Sequence, residues 1–268
     1  GQEWVEAKVS GQASYNDLAY LLASILSYAA PAKQGTSAYK WTFTPAQDSE
    51  DTIKTYTVEH GSSVRAAKFT YGLLRELTLT FNRKECSLSG TMLGQALTDG
   101  ISSMTSGTTA IEPVPVMPTQ VDVYLDSYTA TLGTTKLTRA LSAELAISDR
   151  YNTVWALNSA ISGFAAHVET APSATLKLLV EADSSGMAPL TTLRNGSKCW
   201  LRIRATGNTI SGSDKYQLTL DLCGTVADVG EFSDEDGVYA IEWTFNATHD
   251  ATWGKAMTAE LINTLSGL

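Results

Sequence analysis

The chain has 268 residues, 43% of them apolar, and 19 basic against 28 acidic side chains give it a net charge of −9. That is enough chain and apolar content for one large or two small folded domains, and it excludes an intrinsically disordered protein. The acidic balance also excludes a protein that grips nucleic-acid phosphates, which needs clustered Lys and Arg.

Cys86, Cys199 and Cys223 are odd in number and far apart, which points to reduced thiols rather than a disulfide framework. No apolar run reaches the roughly 18 residues of a membrane span. The first residues lack the basic start and apolar run of a signal peptide, so none is expected.

In chain order, Asp17–Ala30 places Leu18, Leu21, Leu22 and Ile25 on one helical stripe, with Asn16 as cap and Pro31 as stop. Tyr39–Thr44 and Thr55–Glu59 alternate as strands. Leu73–Met92 reads as a long hairpin turning at Asn82–Glu85. Its apolar face holds Leu77, Leu79 and Phe81; Glu76, Thr78 and Thr80 face away. Thr98–Thr109 is expected to be a flexible loop. Ile111–Pro118 contains three prolines and is expected to be a stiff extended connector, dividing a first unit, 1–118, from a second, 119–268.

Beyond it, Gln120–Leu125 is a strand. Leu137–Leu157 is expected to be a third hairpin, with Leu141, Leu145 and Ile147 inward and Ser142, Glu144 and Ala146 outward. Ala166–Thr170, Thr175–Ala182 and Trp200–Ala205 are further strands. Ser185–Leu193 reads as a short helix ended by Asn195-Gly196, and Gly207–Asp214 as a loop. Tyr216–Phe245 has the period of two throughout. Leu218, Leu220 and Leu222 oppose Gln217, Thr219 and Asp221, while Tyr239, Ile241, Trp243 and Phe245 oppose Ala240, Glu242 and Thr244. The joining SDEDG supplies Asp-Gly for a hairpin turn, and the polar face is expected to be solvated and free of Lys and Arg. Ala256–Leu268 is left as a tail, helical or extended.

Helix, strand and long hairpin come in the same order in both halves, and ELTLTF at Glu76–Phe81 is echoed by ELAIS at Glu144–Ser148 and EWTFN at Glu242–Asn246. This suggests two related β-rich units.

Chemistry is hard to find. His60, His167 and His249 each stand alone without metal-ligand spacing, and no nucleotide-binding or nucleophile motif is present. No enzyme, cofactor or metal is expected. Trp41, Trp155, Trp200 and Trp243 fall in strands, where packing is the expected role. Trp4 and Trp253, in the terminal arms, are expected to dock onto a neighbouring subunit, with a local fold-back as the alternative.

The runs YKWTFTP, TYTVEHG and YGLLRELTLTFNRKECSLSGTMLGQALTDG, then KLTRALSAELAISDRYNTVWALNSA and DVGEFSDEDGVYAIEWTFNATHDATWGKAMTAELIN, resemble the tail tube (major tail) proteins of long-tailed phages. The resemblance covers about Asp17 to Asn263. It implies a mainly β fold, a sandwich or barrel with short flanking helices, whose long hairpins join between subunits into a ring-shaped barrel. It further implies stacked rings of six tube units, a trimer if each chain holds two units. The implied partners are other copies of the chain, a tape measure protein, and tail tip and terminator proteins. Genomic DNA would pass through the lumen without specific binding, in a virion tail assembled in the host cytoplasm. A DNA channel should offer no basic anchors, so Glu76, Thr78, Thr80, Ser142, Glu144, Thr219, Asp221, Glu242 and Thr244 are expected to line it. The alternative for that face is an ordinary solvated sheet exterior. The competing functional class is a β-sandwich module that binds a carbohydrate or a receptor through surface tryptophans.

Overall fold

The computed structural model describes residues 1–101, 109–157, 160–170 and 173–268. Alternating apolar residues make most of the chain strand. In order come β1 (Val5–Gln12), α1 (Asp17–Ile25), β2 (Ala32–Gln34), β3 (Ala38–Phe43), β4 (Tyr56–Gly61), β5 (Ala66–Asn82), β6 (Cys86–Gly94) and β7 (Thr98–Ile101). After a 3-10 turn at Pro118–Gln120 follow β8 (Val121–Ser127), β9 (Ala140–Ser148), β10 (Tyr151–Val154), β11 (Ala166–Glu169), β12 (Ser173–Glu181), α2 (Pro189–Asn195) and β13 (Lys198–Ser211). The chain ends with β14 (Asp214–Val229), β15 (Ser233–Glu235), β16 (Val238–Ala247) and β17 (Met257–Asn263).

The organising strand is β14. Six strands run side by side in the order β1-β6-β5-β9-β12-β16, and β16 pairs with the second half of β14, from Gly224 to Val229. On the same edge, the first half of β14, Gln217 to Leu222, pairs instead with β17, which leads on to β3 and β2. The other edge of β14 pairs with β13, and β13 with β8. One long strand therefore turns the corner between two layers, giving a mainly β sandwich or barrel. Gly224 stands at the corner, where a Cβ would come within 2.8 Å of Leu201 Cδ1.

Between the layers lies one apolar core. Leu77, Leu79, Leu145, Leu176, Trp243 and Phe245 from the first layer meet Leu201, Ile203, Leu218, Leu220 and Leu261 from the second. Each such buried side chain contributes about 1.5–3 kcal/mol. Helix α1 adds Leu18, Leu22 and Ile25 to this core and packs against β5 and β3.

Several expectations are met. The β5–β6 hairpin turns at Asn82, whose Oδ1 accepts the N–H groups of Lys84 and Glu85. Asp236 (φ 56°) and Gly237 (φ 82°) make the expected positive-φ turn. Helix α2 ends at Gly196, φ 58°.

Others need correction. Helix α1 stops at Ile25, five residues early, because Arg150 and Tyr151 take the carbonyls at its end. Asn16 makes no side-chain cap bond; Ser14 Oγ accepts the N–H groups of Asn16 and Asp17 instead. The expected Leu137–Leu157 hairpin does not form. Strand β9 pairs with β12, and the segment between them folds back as the two-stranded β10–β11 flap, turned at Asp149 (φ 54°). Gly207–Ser211 is strand rather than loop, continuing β13 into the turn before β14. The expected loop at Thr98 begins as β7; residues 102–108 lie outside the described residues.

The tail from Ala256 becomes β17, an interior strand between β14 and β3. The proline segment is extended as expected, but it is tied down: Val116 N–H donates to Ala13 O, and Tyr15 N–H to Val114 O. Strands from the two sides of Pro118 pair with each other, β5 with β9 and β17 with β3.

Candidate functional site: the open face of the six-strand layer

Residues opposite one another in a ladder share a face. Across the first layer this builds continuous rows on the side away from the core. One row reads Gln12, Ser87, Thr80, Glu144, Lys177, Thr244; the next reads Ser10, Ser89, Thr78, Ala146, Thr175, Asn246. Lys8, Thr91 and Glu76 align beside them, as do Asn82, Ser142, Leu179 and Glu242. The face is mostly hydroxyl and amide. The charges in these rows are Glu76, Glu144 and Glu242 against Lys8 and Lys177, with Glu6 and Glu181 on the same sides of β1 and β12. Seven of the nine residues that sequence expects on the channel face, Glu76, Thr78, Thr80, Ser142, Glu144, Glu242 and Thr244, therefore do share one surface. The expectation that such a face lacks lysine is wrong: Lys177 sits opposite Glu144, and Lys8 Nζ donates to Thr91 Oγ1 at 2.8 Å.

Asp221 and Thr219 are the exceptions and are corrections. Asp221 is only 6% exposed and lies in the second layer, where Arg202 of β13 grips it with two bonds of 2.6 and 2.7 Å. Thr219 is buried beside it. The outward face of the second layer is a set of matched charges: Arg202 with Asp221, Lys40 with Glu260 (2.8 Å) and Lys136 with Asp122 (2.5 Å). Sequence missed this because Arg202 and Arg204 alternate with Leu201 and Ile203 in a strand whose partner was not known.

The first layer has two open ends. Among the described residues strand β1 pairs on one side only, with β6, over eight unbroken positions. At the far end β14 has no strand on its other side beyond Thr225, where helix α2 packs against it, and β15 pairs only with β16, among the described residues. Of the other margins, β4, with six residues, pairs only with β5 among the described residues. Strand β2 has three residues, and β8 is bonded along its outer side by Thr135 O to Leu125 N–H and Val123 O to Leu137 N–H.

The terminal tryptophans fold back locally. Trp4 meets the flap residue Trp155 edge-on at 6.0 Å, and Glu3 N–H donates to Ser162 O. Trp253 is not in an arm. It sits in a turn closed by Asp250 and packs edge-on against Trp200, whose ring is stacked by Tyr128 at 5.5 Å. Lys198 and Lys255 lie over the Tyr128 and Trp253 rings, so this cluster is largely self-covered. Trp41 and Trp243 are fully buried as expected, while Trp155 and Trp200 are only half-buried.

The Asp250 carboxyl is held down to about 2 by the Tyr128 hydroxyl, the Trp253 N–H and Lys198. His167 Nδ1 lies 3.1 Å from the Tyr71 hydroxyl under the flap, and no group of three or more potential metal ligands gathers among the described residues. Among the described residues no helix is long and apolar enough to cross a membrane.

Compared with models of protein families and with curated proteins, the chain matches none.

Proposed function

We propose that this chain is a structural subunit that joins edge to edge into rings, the tube of a long-tailed phage's tail. The observation that carries the proposal is the pair of open edges at opposite ends of one sheet whose exposed face is hydroxyl-rich and net acidic. An open eight-residue edge without proline or bulge is a pairing template that proteins normally blunt. Pairing β1 of one copy with the β14–β15 edge of the next is a head-to-tail contact, which closes into a ring when the rotation per copy divides a full turn. The same face would then be presented to the lumen in every copy, offering DNA hydroxyls and carboxylates instead of a basic groove.

The interleaving of strands from both sides of Pro118 favours one tube unit per chain, and so six copies per ring, over the trimer suggested by the internal repeat. Tape measure, tip and terminator proteins are the partners this reading requires. No observation favours the carbohydrate-binding alternative: two of its tryptophans are buried in the core, and the Trp200 cluster covers its own rings.

The test uses proline in the open edge. Alternate residues of a strand bond to opposite sides, so of Val9→Pro and Ser10→Pro one removes an outward N–H and spares the β6 ladder. That variant should keep the wild-type melting curve and lose assembly in sedimentation of concentrated protein. If both variants fold and assemble like wild type, the edge is not the joint.

A further inference from the structure

The β15–β16 hairpin ends in two aromatic rings left in water. Phe232 and Tyr239 stack at 4.7 Å with planes 13° apart, and they are 49% and 61% exposed. Exposed aromatic pairs are uncommon, because burial is worth more to such rings than to most side chains. Asp234 pairs with Tyr239 across the hairpin, Glu231 and Asp236 flank this segment in sequence, all three exposed, and from Tyr216 to Gly254 the chain has no Lys or Arg. Arg83, from the neighbouring β5–β6 turn, donates to Asp236 at 3.1 Å, and Lys84 of the same turn lines the hollow beside Glu235 and Asp236. The tip thus already holds one guanidinium, with other carboxylates and both rings still facing solvent.

A cation is attracted by the face of an aromatic ring and by the surrounding carboxylates. Arginine suits both, since its planar group stacks on rings and bonds carboxylates in pairs. We infer that this hairpin tip is a docking point for an arginine- or lysine-bearing segment of a partner protein. The inference concerns the unassembled chain, because ring pairing through the β14–β15 edge would cover the same hairpin.

Calorimetric titration of the full chain with tetra-arginine, and with tetra-glutamate as control, tests it. The variants are F232L/Y239L, which keeps apolar bulk and all charges but loses the rings, and D234N/D236N, which keeps the rings. Tetra-arginine should bind wild type, tetra-glutamate should not, and each double variant should weaken binding about fivefold with an unchanged melting curve. Absence of tetra-arginine binding overturns the inference. So does undiminished binding to F232L/Y239L, which would assign the effect to the diffuse charge of the chain. Sedimentation without peptide adds a third arm: if wild type self-associates and F232L/Y239L does not, the tip serves a second copy and the inference falls.

Discussion

Replacing Arg150 with Met should be among the most damaging single changes in the molecule. Its side chain is 2% exposed and lies between the flap and the end of α1. Nε donates to Ile25 O and Nη2 to Leu26 O, both at 3.2 Å, and the guanidinium also pairs with Asp51. Helix α1 has no basic residue in its own last turn, so these bonds satisfy carbonyls the helix cannot. Met fills much of the volume but leaves those carbonyls and the buried Asp51 carboxylate without this partner. Breaking a buried pair from one side costs about 3–5 kcal/mol. The exposed Arg139–Glu181 pair should give a far smaller loss when Arg139→Met removes it, because solvent screens it. Urea unfolding of both variants measures the contrast. R150M/D51N should recover part of the R150M loss, because removing both charges leaves neither stranded. An R150M loss as small as that of R139M would refute the reasoning.

Other outcomes follow from the same geometry. Asp250 is depressed to about 2 when folded, so its stabilising effect is complete above the ordinary carboxylate value of about 4 and is lost as pH falls toward 2. Asp250→Asn should flatten that part of the stability curve, as read by thermal melts from pH 2 to 6. Burial pushes the thiols of Cys86 and Cys223 up to about 11 and Cys199 to about 12, so iodoacetamide at pH 8 should label them only after unfolding. Gly224→Ala should cost about 1–3 kcal/mol in urea, since the new Cβ meets Leu201 at the corner of β14. The triple change E76K/E144K/E242K should leave the fold intact and create salt-dependent binding to duplex DNA in a filter assay; wild-type affinity in the triple variant would show that the face cannot meet a duplex.

Sequence period marked most of the side chains that face the core, because a half-buried strand must alternate, but it failed at the start of β16, where Tyr239 is 61% exposed and Ala240 is fully buried. It placed Leu77 and Leu79, Leu145 and Ile147, and Trp243 and Phe245 correctly. It could not name partners. Strand β9 alternates equally well against β10 or β12, and the choice of β12 was decided by a flap whose anchors lie on α1, more than a hundred residues away. Asp221 failed for the same reason: alternation puts it off the core side, and only the register against Arg202 shows that this side is filled. Leu218, Leu220 and Leu222 were read as facing the same hairpin partner as the rest of β14, whereas the strand changes partner at Gly224. The acidic face was legible in its composition, and its two lysines came from strands outside the hairpins that drew notice.

Electron microscopy of negatively stained, concentrated protein, seeded with tail-tip complex, tests the central claim most directly. The account predicts hollow rings or tubes with six-fold symmetry, abolished by the outward-facing proline variant of β1. Protein that stays monomeric with the seed present, at concentrations where light scattering shows it folded and monodisperse, would contradict it.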